Sequence, residues 1–190
     1  MNVMNASNRI RTLAWSLSWI VAVVLLTTAR AQAQAPQPEM LPGLRPHAAE
    51  ICERLVDALV EVESAGQPRR VGRQGERGLM QVKAATWAEV TAKLYGKRIP
   101  FERAFEPELN RRVGLAYLRQ LRTFLAGHRE RWRTDERTLL LACYNAGPER
   151  VREAGFCVTR LPATTRDYIT RAGALHDALR REAAGAAASP

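Results

Sequence analysis

Strand signals are what this sequence most clearly lacks. No stretch shows convincing alternation of apolar and polar residues, which argues against a sandwich or a barrel. Self-similarity at a period of roughly 20–50 residues is also missing, so a repeat fold is not expected. Aromatics are few, at 6%, yet 46% of residues are hydrophobic, a globular rather than a disordered composition. Metal-ligand spacing is absent: His47, His128 and His176 lie far apart and form no pair with a cysteine. No metal or other cofactor is therefore expected. Cysteine is scarce too. Cys52, Cys143 and Cys157 allow one bridge and one leftover thiol, with the pairing left open. A cysteine nucleophile would need a partner histidine, and nothing in the sequence points to one.

Acidic residues are in deficit. Nineteen Asp and Glu stand against 29 Lys and Arg, giving a formal charge of +10. Such a chain is attracted to anionic polymers or membranes. The arginines scatter over most of the expected helices and form no run, so a solvated face is favoured over a nucleic-acid patch and no nucleic-acid partner is expected.

The N-terminus reads as a targeting segment. Arg9 and Arg11 precede an almost wholly apolar stretch from Leu13 to Leu26. Small residues then alternate at Ala29, Ala31 and Ala33 as a signal peptidase requires. The apolar run is shorter than the ~20 residues of a bilayer span. Residues 1–33 are expected to be a cleaved signal peptide, and the product periplasmic or exported; an uncleaved segment would be the one route to membrane attachment. Residues 34–44 are rich in Pro, Gln and Ala and read as a linker. A single domain is expected over 45–181, with 182–190 a loose Ala/Gly tail.

Within that domain helical periodicity dominates. A first helix starts near Pro46, a favourable first-turn residue. Ala48, Ile51, Cys52, Leu55, Ala58, Leu59 and Val62 form its apolar stripe, and Gly66 and Pro68 stop it. Gly72 to Gly78 is too glycine-rich for a helix and predicts a turn or small hairpin. Further helices are predicted at about Ala85–Leu94, Pro107–Leu125, Asp135–Asn145, a short piece to Glu153, and Thr164–Arg180. The fourth of these six, apolar on all sides through Leu139–Cys143, predicts a buried central helix.

Helical phase singles out one acid. At about 100° per residue, Glu50, Glu53, Asp57 and Glu61 fall opposite the apolar stripe of the first helix. Glu63 falls four residues after Leu59, at the edge of the apolar face and in the last turn. Partial desolvation there would raise its pKa, as a general acid near neutral pH requires.

Three segments frame this residue: Glu63-Ser64-Ala65-Gly66-Gln67-Pro68, Gly75-Glu76-Arg77-Gly78-Leu79-Met80-Gln81, and Cys143-Tyr144-Asn145-Ala146-Gly147-Pro148. In this order and spacing they closely resemble the soluble lytic transglycosylase domain, a branch of the lysozyme-like superfamily. Asn110, Gly114, Tyr117 and Leu118 resemble that family's Asn-x-x-x-Gly-x-x-Tyr-Leu helix, and Thr165-Arg166-Asp167-Tyr168 its closing Thr-Arg-x-Tyr. The resemblance covers residues 47–172. It implies a mainly α, goose-type-lysozyme-like fold with a short turn or hairpin around 70–80.

The resemblance also implies a chemistry. Peptidoglycan glycan strands would be cut between N-acetylmuramic acid and N-acetylglucosamine, with the muramic C6 hydroxyl as nucleophile and a 1,6-anhydro end as product. Glu63 would be acid and then base. Gln81 and Asn145 would bond the sugar or order the site, with backbone capping as the alternative role. Tyr144 would face the glycosidic centre, Ser64 beside the acid would bind substrate, and Met80 would line the cleft or fill the core. Tyr117 is expected in the core, and Tyr168 stays open between core and site. A secretion or conjugation apparatus is the implied partner beyond the wall itself.

The chain departs from the family pattern at Gly72, where a Ser is usual, at Lys83-Ala84, where Met-Pro is usual, and at Cys143, where Ala is usual. Glu76 is an addition. If it faced Glu63, a second carboxylate would exist and lysozyme-like hydrolysis would become possible; pairing with Arg73 or Arg77 at the surface is the alternative. A wall-binding assembly factor without catalysis is the third reading.

Overall fold

The computed structural model describes the backbone of residues 46–187 and the side chains of residues 55–186. The expected signal peptide and linker, the side chain of Cys52 and the final three residues lie outside these. Six α-helices are present among the described residues: α1 (Pro46–Ser64), α2 (Ala84–Tyr95), α3 (Pro107–Ala126), α4 (Glu136–Ala146), α5 (Pro148–Glu153) and α6 (Ala163–Ala187). Short 3-10 turns occur at Phe101–Phe105, Arg129–Arg131 and Val158–Arg160.

The helix ends follow local chemistry. Asp135 caps α4: its Oδ1 accepts from the Thr138 backbone N–H at 3.0 Å and its Oδ2 from the Thr138 hydroxyl at 2.6 Å. Such a cap contributes about 1 kcal/mol. Gly96, at φ +67°, closes α2 in the left-handed conformation. Pro148 opens α5 at a position where the missing N–H costs nothing.

α4 is the hub. It packs on α3, α5 and α6, while α1 packs on α6 and α3. Leu139, Leu140, Leu141, Ala142 and Cys143 are all buried, as the all-round apolar pattern requires. Burial of each leucine stabilises by roughly 1.5–3 kcal/mol. Leu55 and Leu59 of α1, Val113, Leu118, Leu121 and Leu125 of α3, and Ala172 of α6 complete the centre.

The glycine-rich stretch makes no named strand. Isolated antiparallel bridges join Val71 to Arg77 and Arg77 to Val82. Asn110 fastens this stretch to α3. Its Oδ1 accepts the Met80 N–H at 2.8 Å, and its Nδ2 donates to the carbonyls of Arg77 (3.0 Å) and Ala104 (2.7 Å). Met80 then lies against Gly114, so closely that a Cβ there would come within 2.1 Å of the Met80 sulfur.

One expectation is corrected at the C-terminal end. Residues 182–187, read as a loose tail, continue α6. The stretch is mostly Glu and Ala, strong helix formers, and the single Gly185 does not outweigh them. Residues 182–186 are nonetheless exposed on all sides.

Candidate active site

The site begins where α1 ends. Ala65 and Gly66 turn the chain away at φ +50° and +71°. Glu63, in the final turn, therefore meets an open cleft of about 550 Å3 that it lines together with Glu76, Gln81, Tyr117, Tyr144 and Asn145. Glu61, two positions earlier, is exposed to solvent. The two glutamates thus differ in environment because they differ in helical phase.

The Glu63 carboxyl is held from α6. The Tyr168 hydroxyl donates to Glu63 Oε1 at 2.7 Å, and Tyr168 is itself only 4% exposed. Burial pushes the Glu63 carboxyl up from its usual 4.5 to about 7. The anion of Glu76 adds to the lift, while the Tyr168 bond and the charges of Arg171 and Arg70 oppose it. A carboxyl with that proton affinity is partly protonated at neutral pH and can both give and accept a proton.

Tyr144 forms the wall from α4. Its hydroxyl donates to the Met80 carbonyl at 2.7 Å, and its ring tilts against Tyr117 with centroids 5.7 Å apart. Burial raises both phenols above their usual range, to about 12 for Tyr117. They remain neutral hydrogen-bonding groups. Gln81, at φ +45°, donates through Nε2 to the carbonyls of Arg70 (3.1 Å) and Gly78 (2.9 Å). It lines the cleft and ties the glycine-rich stretch together. Asn145 lines the cleft and is exposed.

Ser64, a candidate substrate residue, and Met80, expected to line the cleft or fill the core, are both buried. Ser64 is fully buried and its hydroxyl turns back to the Val60 carbonyl at 2.9 Å, a bond within its own helix. Met80 is also fully buried, wedged against Gly114. Both are core residues; what Met80 offers the site is its carbonyl, as the acceptor for Tyr144. Glu76 pairs with neither Arg73 nor Arg77. It accepts from the Gln74 N–H at 2.9 Å and lies 3.9 Å from Lys83 Nζ.

Tyr117 and Tyr168 belong to the cleft, although sequence reasoning put the first in the core and left the second open. A signal for Tyr168 exists: it shares a three-to-four spacing with Thr165, Ala172 and His176, all buried, which marks the inward face of α6. Arg70, Arg73, Lys83 and Arg171 surround the opening with positive charge. Among the described residues no three His, Cys, Asp or Glu side chains gather where a metal could be held.

Comparison with known proteins gives a consistent result. Residues 45–159 match the family model described as the transglycosylase SLT domain. The chain is 37% identical over 112 residues to the membrane-bound lytic murein transglycosylase C of Yersinia pestis, covering 56% of this chain and 31% of that protein. The lytic transglycosylase Slt of Pseudomonas aeruginosa, solved as an inactive mutant, superposes with a TM-score of 0.57 at 23% identity over 90% of this chain and 29% of its own. The 70 kDa soluble lytic transglycosylase of Escherichia coli gives 0.56 at 27% identity over 70% and 22%. The chain therefore spans less than a third of the length of these relatives, and shares their lysozyme-like helical fold.

Proposed function

Since the chain belongs to the transglycosylase SLT domain family, we propose that it is a peptidoglycan lytic transglycosylase in which Glu63 is acid and then base. The observation that carries this reading is the glutamate at the end of α1, lining an open cleft, with its proton affinity raised to about 7 and one oxygen held by Tyr168.

The steps follow from that arrangement. Protonated Glu63 gives its proton to the oxygen bridging N-acetylmuramic acid and N-acetylglucosamine, and the bond from that oxygen to the muramic C1 breaks. The C6 hydroxyl of the same sugar attacks C1, and the Glu63 carboxylate takes the hydroxyl proton. The enzyme returns to its starting form, no water is consumed and a 1,6-anhydro end is released. Tyr168 fixes one carboxyl oxygen and leaves the other for the moving proton. Tyr144, Gln81 and Asn145 line the same cleft and would orient the sugar. Arg70, Arg73, Lys83 and Arg171 favour a polymer that carries carboxylates.

The wall substrate implies an envelope location. The printed name of the Yersinia relative, a membrane-bound murein enzyme, supports it, as does the Arg9–Ala33 targeting pattern. Partnership with a secretion or conjugation apparatus is the corresponding reading of its context and rests on family analogy.

Mass spectrometry of digested peptidoglycan tests the reaction. Anhydro-muramic ends are expected; reducing ends in their place would sink the proposal.

A further inference from the structure

We propose that Glu76 is a positioning residue for Glu63: a fixed anion on the same cleft that keeps the proton on Glu63 at rest and draws it back after the glycosidic bond has broken. This rests on the reading of Glu63 as acid and base, and adds to it a second carboxylate that lines the same cleft.

The glycine-rich stretch holds the Glu76 carboxylate in place. Its side chain is only 17% exposed, although it comes from a turn. The Gln74 N–H donates to its Oε2 at 2.9 Å. That oxygen lies directly over Gly72, where an added Cβ would stand 2.3 Å from Glu76 Oε2 and 2.8 Å from Gln81 Oε1. A side chain at position 72 would displace the carboxylate, so the glycine and the glutamate belong together.

The charge of Glu76 is incompletely neutralised. Lys83 stands 3.9 Å away, beyond hydrogen-bonding distance, and gives its hydrogen bond to Gln74 Oε1 at 2.9 Å instead. The other groups that act on Glu63 are Tyr168 and Arg171 from α6, Tyr144 from α4 and Arg70 from the loop after α1. Arg171 is itself paired with Asp167 at 2.9 Å. Glu76 is the anion in this set, and two carboxylates lining one cleft resist ionising together. Before the reaction this adds to burial in favouring the protonated form of Glu63. Once Glu63 has protonated the bridging oxygen, repulsion from Glu76 makes the new carboxylate the stronger base towards the C6 hydroxyl.

Glu76→Gln tests this directly, because glutamine keeps the size and an acceptor for the Gln74 N–H while removing the charge. The alkaline limb of the kcat/KM profile should move down by roughly half a pH unit or more, kcat should fall, and Glu76→Asp should restore much of the limb. Lys83→Met, at a side chain 57% exposed, should move the limb the other way. A Glu76→Gln profile scaled down equally at every pH, or unmoved, overturns the inference; should that variant fail to fold, an unmoved limb in Lys83→Met overturns it alone. Product analysis separates the two levels. Anhydro ends with an unmoved limb remove the role of Glu76 and leave that of Glu63. Reducing ends in the wild type that vanish in Glu76→Gln overturn both, since Glu76 would then be activating water.

Discussion

Tyr168 and Glu63 lie 105 residues apart in the sequence and meet through a 2.7 Å hydrogen bond from the phenol to Oε1. The bond joins the end of the first described helix to the buried face of the last. It also works against the burial of the carboxyl, because a hydrogen bond to the charged form favours ionisation.

Replacing Tyr168 by Phe removes that donor and little else, since the ring is already buried. Glu63 should then hold its proton more tightly, so the alkaline limb of the pH profile should move up, opposite to the effect expected for Glu76→Gln. Loss of orientation should lower kcat by roughly 10–100-fold. Steady-state turnover of purified wall across pH 5 to 9 gives both quantities.

Glu63→Gln should abolish wall clearing in a zymogram, a loss of at least the ~10²–10⁴-fold attributed to a general acid. It should also stabilise the fold above neutral pH. The folded carboxyl titrates near 7 and the unfolded one near 4.5, so the wild type loses stability as pH rises between those values and stays at the lower level beyond. Glutamine never ionises and can still accept from Tyr168. Denaturant melts at pH 4 and pH 8 should show a gain for the variant at the higher pH only, of up to about 3 kcal/mol.

Asn110→Ala removes two hydrogen bonds that fasten the glycine-rich stretch to α3 and a third to the Ala104 carbonyl of the neighbouring 3-10 turn. The groups left unpaired should cost about 2–4 kcal/mol in urea unfolding. Activity should fall as well, because Gln81 and the Met80 carbonyl both ride on that stretch.

Gly114→Ala drives a methyl group into the Met80 sulfur, which would lie 2.1 Å away. The expected loss is about 1–3 kcal/mol. Met80→Ala opens the space, so the double variant should be less destabilised than the sum of the two single changes, as a double-mutant cycle of melts would read.

Much of this architecture is legible in the sequence, for physical reasons that differ from element to element. The buried helix α4 follows from an apolar run with no wet side, and α1 from a stripe broken by Gly66 and Pro68. The separation of Glu63 from Glu61 follows from helical phase alone. What the sequence hides are contacts made at long range. Met80 is drawn inward by the missing side chain of Gly114, thirty-four positions away in the chain. Ser64 looks like a site residue by adjacency, yet the helix phase that turns Glu63 to the cleft turns its neighbour into the core. Tyr117 lies on α3 among core residues, and only the docking of Tyr144 against it marks it as part of the wall.

The dependence of Glu63 on α6 has a consequence in time. α6 packs against both α1 and α4 and carries Tyr168 on its inward face. As the chain is synthesised the acid emerges more than a hundred residues before its partner. An incomplete chain holds the glutamate in water, where it ionises as any exposed carboxylate does. The surroundings of Glu63 are thus completed only when α6 packs against α1 and brings Tyr168 to the carboxyl.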